Sequence, residues 1–95
     1  MSDIPPTDIQ NESVWEFPMR YPLKVLGEAS HPMATIVAEL LQRHIKDFDA
    51  SSLTCRLSAG GKYISVSAEF TLLSKEQVNR LYADLAACPQ IKLVL

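Results

Sequence analysis

Few residues in this chain could do chemistry. Two histidines (His31 and His44), two cysteines (Cys55 and Cys88) and the loop Gly27-Glu28-Ala29-Ser30-His31-Pro32 are where catalysis, metal binding or ligand capture would begin. A nucleophile requires a base within hydrogen-bond reach and a third group to orient that base. His31 and His44 stand thirteen residues apart on one predicted helix, with no Ser, Cys or Asp beside either in a triad-like arrangement. His44 falls near the end of that helix, where a basic side chain complements the helix dipole. His31 sits at a strand-to-helix turn, whose side chains face the crevice beyond a strand end, and is the better functional candidate of the two. Metal binding needs clustered His, Cys or carboxylate ligands. Cys55 alternates onto the inward face of a predicted strand and Cys88 lies at a helix end, so both read as buried thiols acting as small apolar groups. Gly60-Gly61 lies between two predicted strands and not before a helix, which makes it a hairpin turn and not a phosphate loop. Catalytic residues, metal ligands and cofactors are therefore not expected, and the ligand-binding candidates are Gly27, Glu28, Ser30 and His31.

The elements that must position these residues follow from hydrophobic periodicity. Leu23, Val25 and Gly27 alternate with Lys24, Leu26 and Glu28, which predicts a first strand over Tyr21–Glu28. Gly27 there permits a positive φ or the close approach of another backbone. Met33, Ile36, Val37, Leu40, Leu41 and Ile45 share one face of a helix predicted over His31–Lys46, with Ser30 as its N-cap and Pro32 tolerated in the first turn. Arg43 and Lys46 near its end suit the dipole. In the second strand Leu53, Cys55 and Leu57 point inward; in the third, Ile64, Val66, Ala68, Phe70 and Leu72 do. Ser74-Lys75-Glu76-Gln77 is a capping box. The helix it opens turns Val78, Leu81, Tyr82 and Leu85 inward and stops at Pro89. A last strand over residues 90–95 places Ile91, Leu93 and Leu95 on one face and Lys92 and Val94 on the other.

This order, β-α-β-β-α-β, predicts the α+β class: a ferredoxin-like βαββαβ sandwich, with a four-stranded antiparallel sheet in the order 4-1-3-2 and two helices on one face. Strands 2 and 4 are then edges. Strand 4, through Ile91, Lys92, Leu93 and Val94, is a candidate interaction edge guarded only by Lys92.

The totals agree with one small domain. The 95 residues are 47% hydrophobic and 21% charged, with a net charge of −2, an ordinary globular balance. Four of the eleven acidic residues lie in residues 1–16, which have no Lys or Arg, leaving nine basic against seven acidic residues in the remainder. Residues 1–15 are expected to be a disordered acidic tail, and 16–95 the domain. Val14, Trp15 and Phe17 are expected to anchor the start of the domain on its core. Two cysteines suit a reduced, cytoplasmic setting. Neither a signal peptide nor a membrane span is expected.

A resemblance runs through the same residues. Glu16-Phe17-Pro18 and Tyr21-Pro22-Leu23-Lys24-Val25-Leu26-Gly27 open it. Val37 to His44, Gly61-Lys62-Tyr63-Ile64-Ser65-Val66-Ser67, Glu76-Gln77-Val78, Leu81-Tyr82 and Val94-Leu95 continue it. Over about residues 16–95 the chain resembles the YbeD-like family of small uncharacterised bacterial proteins. The resemblance implies a ferredoxin-like fold similar to the ACT regulatory domains, a possible small effector near the first strand-to-helix loop, and a link to lipoate metabolism through neighbouring genes; it brings no assigned activity. ACT loops carry an acidic residue before the glycine, whereas here Glu28 follows Gly27.

The expected function is a non-enzymatic regulatory or adaptor domain that acts through a protein partner or a small-molecule effector. Self-association, including a homodimer, through the exposed sheet edge is the alternative. RNA binding by the sheet face is disfavoured: Tyr63 faces outward, but Ser65 stands where a second stacking ring belongs. An acyl-phosphate hydrolase would need an arginine in the loop over residues 27–32, which has none.

Overall fold

The computed structural model describes residues 16–95. The expected tail, Val14 and Trp15 lie outside the described residues. The elements are β1 (Met19–Glu28), α1 (Met33–His44), β2 (Thr54–Leu57), β3 (Tyr63–Leu72), α2 (Lys75–Ala87) and β4 (Ile91–Val94), with a 3-10 turn at Ala50–Ser52. One antiparallel sheet runs β2-β3-β1-β4, the expected order read from the other edge.

The core lies between the helices and one sheet face. Leu23, Val25, Val66, Ala68, Phe70 and Leu72 from the sheet meet Met33, Val37, Leu40 and Leu41 from α1 and Val78, Leu81 and Leu85 from α2. Burying each large apolar side chain contributes about 1.5–3 kcal/mol, so this interdigitated layer supplies most of the driving force. Phe17 packs against its margin, as the expected anchor does.

Sequence and structure part at four places. Strand β1 begins two residues earlier than expected, because Met19 and Arg20 pair with Leu72 and Thr71. Helix α1 spans Met33–His44, not His31–Lys46, and Ser30 is not its cap: Pro32 holds that position without a side-chain bond. The His31 and Met33 amides bond to the Glu28 and His31 carbonyls, which leaves Ser30 in a preceding turn.

Cys55 is exposed and not buried, and Leu57 beside it is 59% exposed. Both do lie on the helix side, opposite Val66 and Ile64. The helices, however, lie mainly against β1, β3 and β4, so among the described residues the inner side of this edge strand is left open.

The alternation of β4 is broken. Leu26 pairs with Leu93 but Gly27 pairs with Ile91, so Lys92 is an extra residue in a bulge. Ile91 and Val94 therefore both pack on the core, while Leu93, 49% exposed, joins Lys92 on the outer face. Leu95 continues the ladder with Lys24, its amide donating to the Lys24 carbonyl at 2.7 Å, and is 60% exposed.

The turn chemistry is as expected. Gly61 has φ of +72° in the β2–β3 hairpin. Ser74 Oγ accepts the Gln77 amide, while Gln77 Oε1 reaches back to the Leu73 amide at 2.6 Å.

Candidate functional site

The β1–α1 loop emerges at the end of the sheet where β1, β4 and the β2–β3 hairpin come together. Its geometry begins with Gly27, which is buried. A Cβ at this position would stand 2.6 Å from Met33 Sδ and Cε and 2.9 Å from the Gln90 carbonyl. Close approach is thus what this glycine permits, and it lets Met33 and the turn into β4 pack against the strand. The Ala29 amide donates to the Lys62 carbonyl at 2.8 Å, which ties the loop to the hairpin.

Polar side chains gather on that frame. Glu28 Oε2 lies 3.7 Å from Lys92 Nζ, and Glu28 Oε1 lies 3.9 Å from His31 Nε2. A cleft of about 510 Å³ beside them is lined by Glu28, Ala29, Ser30, Gly61 and Lys62. Three of the four expected loop residues, Glu28, Ser30 and His31, therefore lie at or beside this cleft, while Gly27 supports it from within the core. Sequence reasoning missed Lys92 and Lys62 here. Lys92 arrives through the β1–β4 pairing, which a linear reading does not contain, and Lys62 through the hairpin; no local signal marks either. Two cations, a carboxylate and a half-exposed imidazole can hold the charged ends of a small molecule or a partner's side chains. They do not place a nucleophile against a base.

The expected interaction edge divides. Ile91 and Val94 serve the core, Lys92 belongs to the loop cluster, and Leu93 and Leu95, expected on one face with Ile91, face outward. On that outer face a shallow groove of about 340 Å³ runs over Pro22, Lys24, Ser67, Thr54 and Glu69 to Leu95. Tyr63 also turns to this face, but Lys62 Nζ sits 5.5 Å from its ring centroid, so the ring is already engaged by a cation.

Other titratable side chains hold elements of the fold together. His44 Nε2 donates to Asp84 Oδ2 at 2.5 Å, and Arg43 reaches the same oxygen at 3.4 Å, joining α1 to α2. The bond from His44 is the main cause holding the Asp84 carboxyl below the usual carboxylate range. The Tyr21 and Tyr82 hydroxyls bond to each other, and burial, then this bond, push the Tyr82 phenol up. Cys88 is half-buried at the end of α2, with Sγ 3.3 Å from Gln90 Oε1. Among the described residues no three His, Cys, Asp or Glu side chains are grouped to hold a metal ion. No helix among them is long and apolar enough to cross a membrane.

Comparison with known proteins gives a consistent answer. Residues 12–95 match a family model described as "Protein of unknown function (DUF493)". A UPF0250 protein of Azotobacter vinelandii is 40% identical over 90 residues, covering 94% of this chain and 97% of the relative. One from Shewanella sediminis is 42% identical over 89 residues, covering 93% and 98%. One from Pseudomonas aeruginosa is 36% identical over 96 residues, covering the whole of both chains at 100%. Among solved structures, protein HP0495 from H. pylori has a TM-score of 0.63 at 11% identity, over 100% of this chain and 98% of that one. That likeness concerns the fold alone.

Proposed function

This chain belongs to the DUF493 family of UPF0250 proteins, the family of the YbeD-like resemblance, and from that premise we propose that it is a non-catalytic regulatory or adaptor protein of the bacterial cytoplasm. It acts by binding, through a small charged ligand or the charged side chains of a partner, at the β1–α1 loop. The observation that carries this proposal is the Glu28, His31 and Lys92 cluster beside a cleft that Lys62 also lines. Glu28 meets both a lysine and an imidazole while remaining accessible, and such partly solvated pairs exchange partners at little cost. A zwitterion satisfies the arrangement: its carboxylate replaces Glu28 at Lys92 or meets Lys62, and its ammonium meets Glu28. The implied link to lipoate metabolism adds short carboxylic acids to the ligands worth trying.

The test is NMR shift perturbation of the full chain by amino acids, lipoate and octanoate. Shifts at Glu28–His31, Lys62 and Lys92, lost in Glu28→Gln, are expected for a ligand. No shifts at these residues with any compound would remove the small-ligand half of the proposal.

A second site for a protein partner has its own support. Leu93 and Leu95 stand exposed beside the outer groove, an apolar edge next to Lys24.

A further inference from the structure

We propose that two copies of this chain pair antiparallel through the free edge of β2, about a two-fold axis at Cys55. The pairing is independent of ligand binding at the β1–α1 loop.

Of the two free edges, β2 is the one built to accept a strand. An edge strand offers a row of unpaired amides and carbonyls, and proteins blunt it by keeping it short, with charged side chains, prolines, bulges or a covering element. Strand β4 has a bulge and Lys92. Strand β2 is as short and carries Arg56, but it has no bulge: Thr54, Cys55, Arg56 and Leu57 face Ser67, Val66, Ser65 and Ile64 one to one. All four of its residues are exposed. Its helix side carries Cys55 and Leu57 with half-buried Leu53 before them, an apolar row that neither α1 nor α2 covers.

The occupant follows from geometry. A two-fold axis perpendicular to the sheet keeps both helical layers on one side and makes the new pair antiparallel. Residues directly opposite must then share a face, so the axis passes through a residue and not between two. An axis at Arg56 sets two guanidinium groups against each other, which is destabilising. An axis at Thr54 places Leu57 opposite Ser51, and one at Leu57 leaves Thr54 beyond the paired stretch. The axis at Cys55 faces Leu57 with Leu53 of the second copy, and Arg56 with Thr54 of the second copy. It is the register that covers the apolar row and separates the arginines. Two four-stranded sheets become one of eight strands, with the two Cys55 Cβ atoms about 4.5–5.5 Å apart, at the upper limit of what a disulfide bridges, so a small local approach closes the bond.

The test uses the full reduced chain. Sedimentation from about 10 μM to about 1 mM should show mass rising from 10.6 kDa toward twice that value. Cys55→Arg, which puts two cations at the axis, should remain monomeric and melt like the dilute, monomeric parent. Diamide, a two-electron thiol oxidant, then reads the register. Two Cys55 thiols give up two protons and two electrons to it and form one disulfide. Cys88→Ser should cross-link like the parent. A Cys55→Ser/Leu57→Cys chain should cross-link at least tenfold more slowly, because its thiols lie about 13 Å apart across the axis. A strict monomer across the range would overturn the proposal, as would cross-linking from position 57 as fast as from Cys55.

Discussion

Strands β2 and β4 are both four residues long, and each ends one side of the same sheet. Their inner sides meet different fates. Helix α2 lies against β4, and Ile91 and Val94 pack on the core. Among the described residues neither helix packs closely on β2, and its Cys55 and Leu57 stay exposed. Where a helix ends up over a sheet, more than what a strand is made of, decides which apolar residues are core. The same difference sorts function. The β4 end of the sheet is tied into the loop cluster through Lys92 and Glu28, while β2 is a regular edge without a bulge.

Substitutions can break this contrast or sharpen it. The largest effect is expected on the β4 side from Gly27→Ala, whose methyl meets Met33 Sδ and the Gln90 carbonyl. Overpacking of this kind costs about 1–3 kcal/mol, which urea denaturation will measure. A neutral result would mean that the β1–β4 junction is loosely packed. Next comes a matched pair. Val94→Ala should cost about 1 kcal/mol because the side chain packs on the core. Leu57→Ala should stay within about 0.5 kcal/mol for the monomer, while weakening self-association. Equal losses of monomer stability would erase the distinction between the edges.

The smallest effect is a pH dependence that should leave both edges alike. Asp84 binds His44 and Arg43 between the helices, and its carboxyl is held low. A depressed carboxylate contributes stability above its unfolded value of about 3.9, and that contribution is lost as pH falls through the lower folded value. Asp84→Asn should therefore be less stable than the parent at pH 7, and the gap should close in strong acid. A gap independent of pH would assign the contact a packing role and no charge role.

Much of this was legible in the chain itself. The order of elements, the capping box at Ser74 and Gln77, the Gly60-Gly61 hairpin and the inward face of β3 all rest on local patterns, and the structure has them. The failures at β2, at β4 and at the loop cluster share a cause. Alternation places Cys55 and Leu57 on the correct side of the sheet but cannot tell that no helix reaches them. A single extra residue, Lys92, turns Leu93 outward and Val94 inward, because strand parity does not survive a bulge. The cluster at Glu28 needed Lys92 and Lys62, brought in from separate elements, so only half of the candidate site could be read from the loop.

A dilution series of amide spectra tests the contrast between the edges most directly. Between about 1 mM and about 20 μM full-length chain, amides of residues 53–58 should shift with concentration while those of residues 91–95 stay fixed. Movement at residues 91–95, or a spectrum unchanged throughout, would contradict β2 as the edge through which this protein meets its own copy.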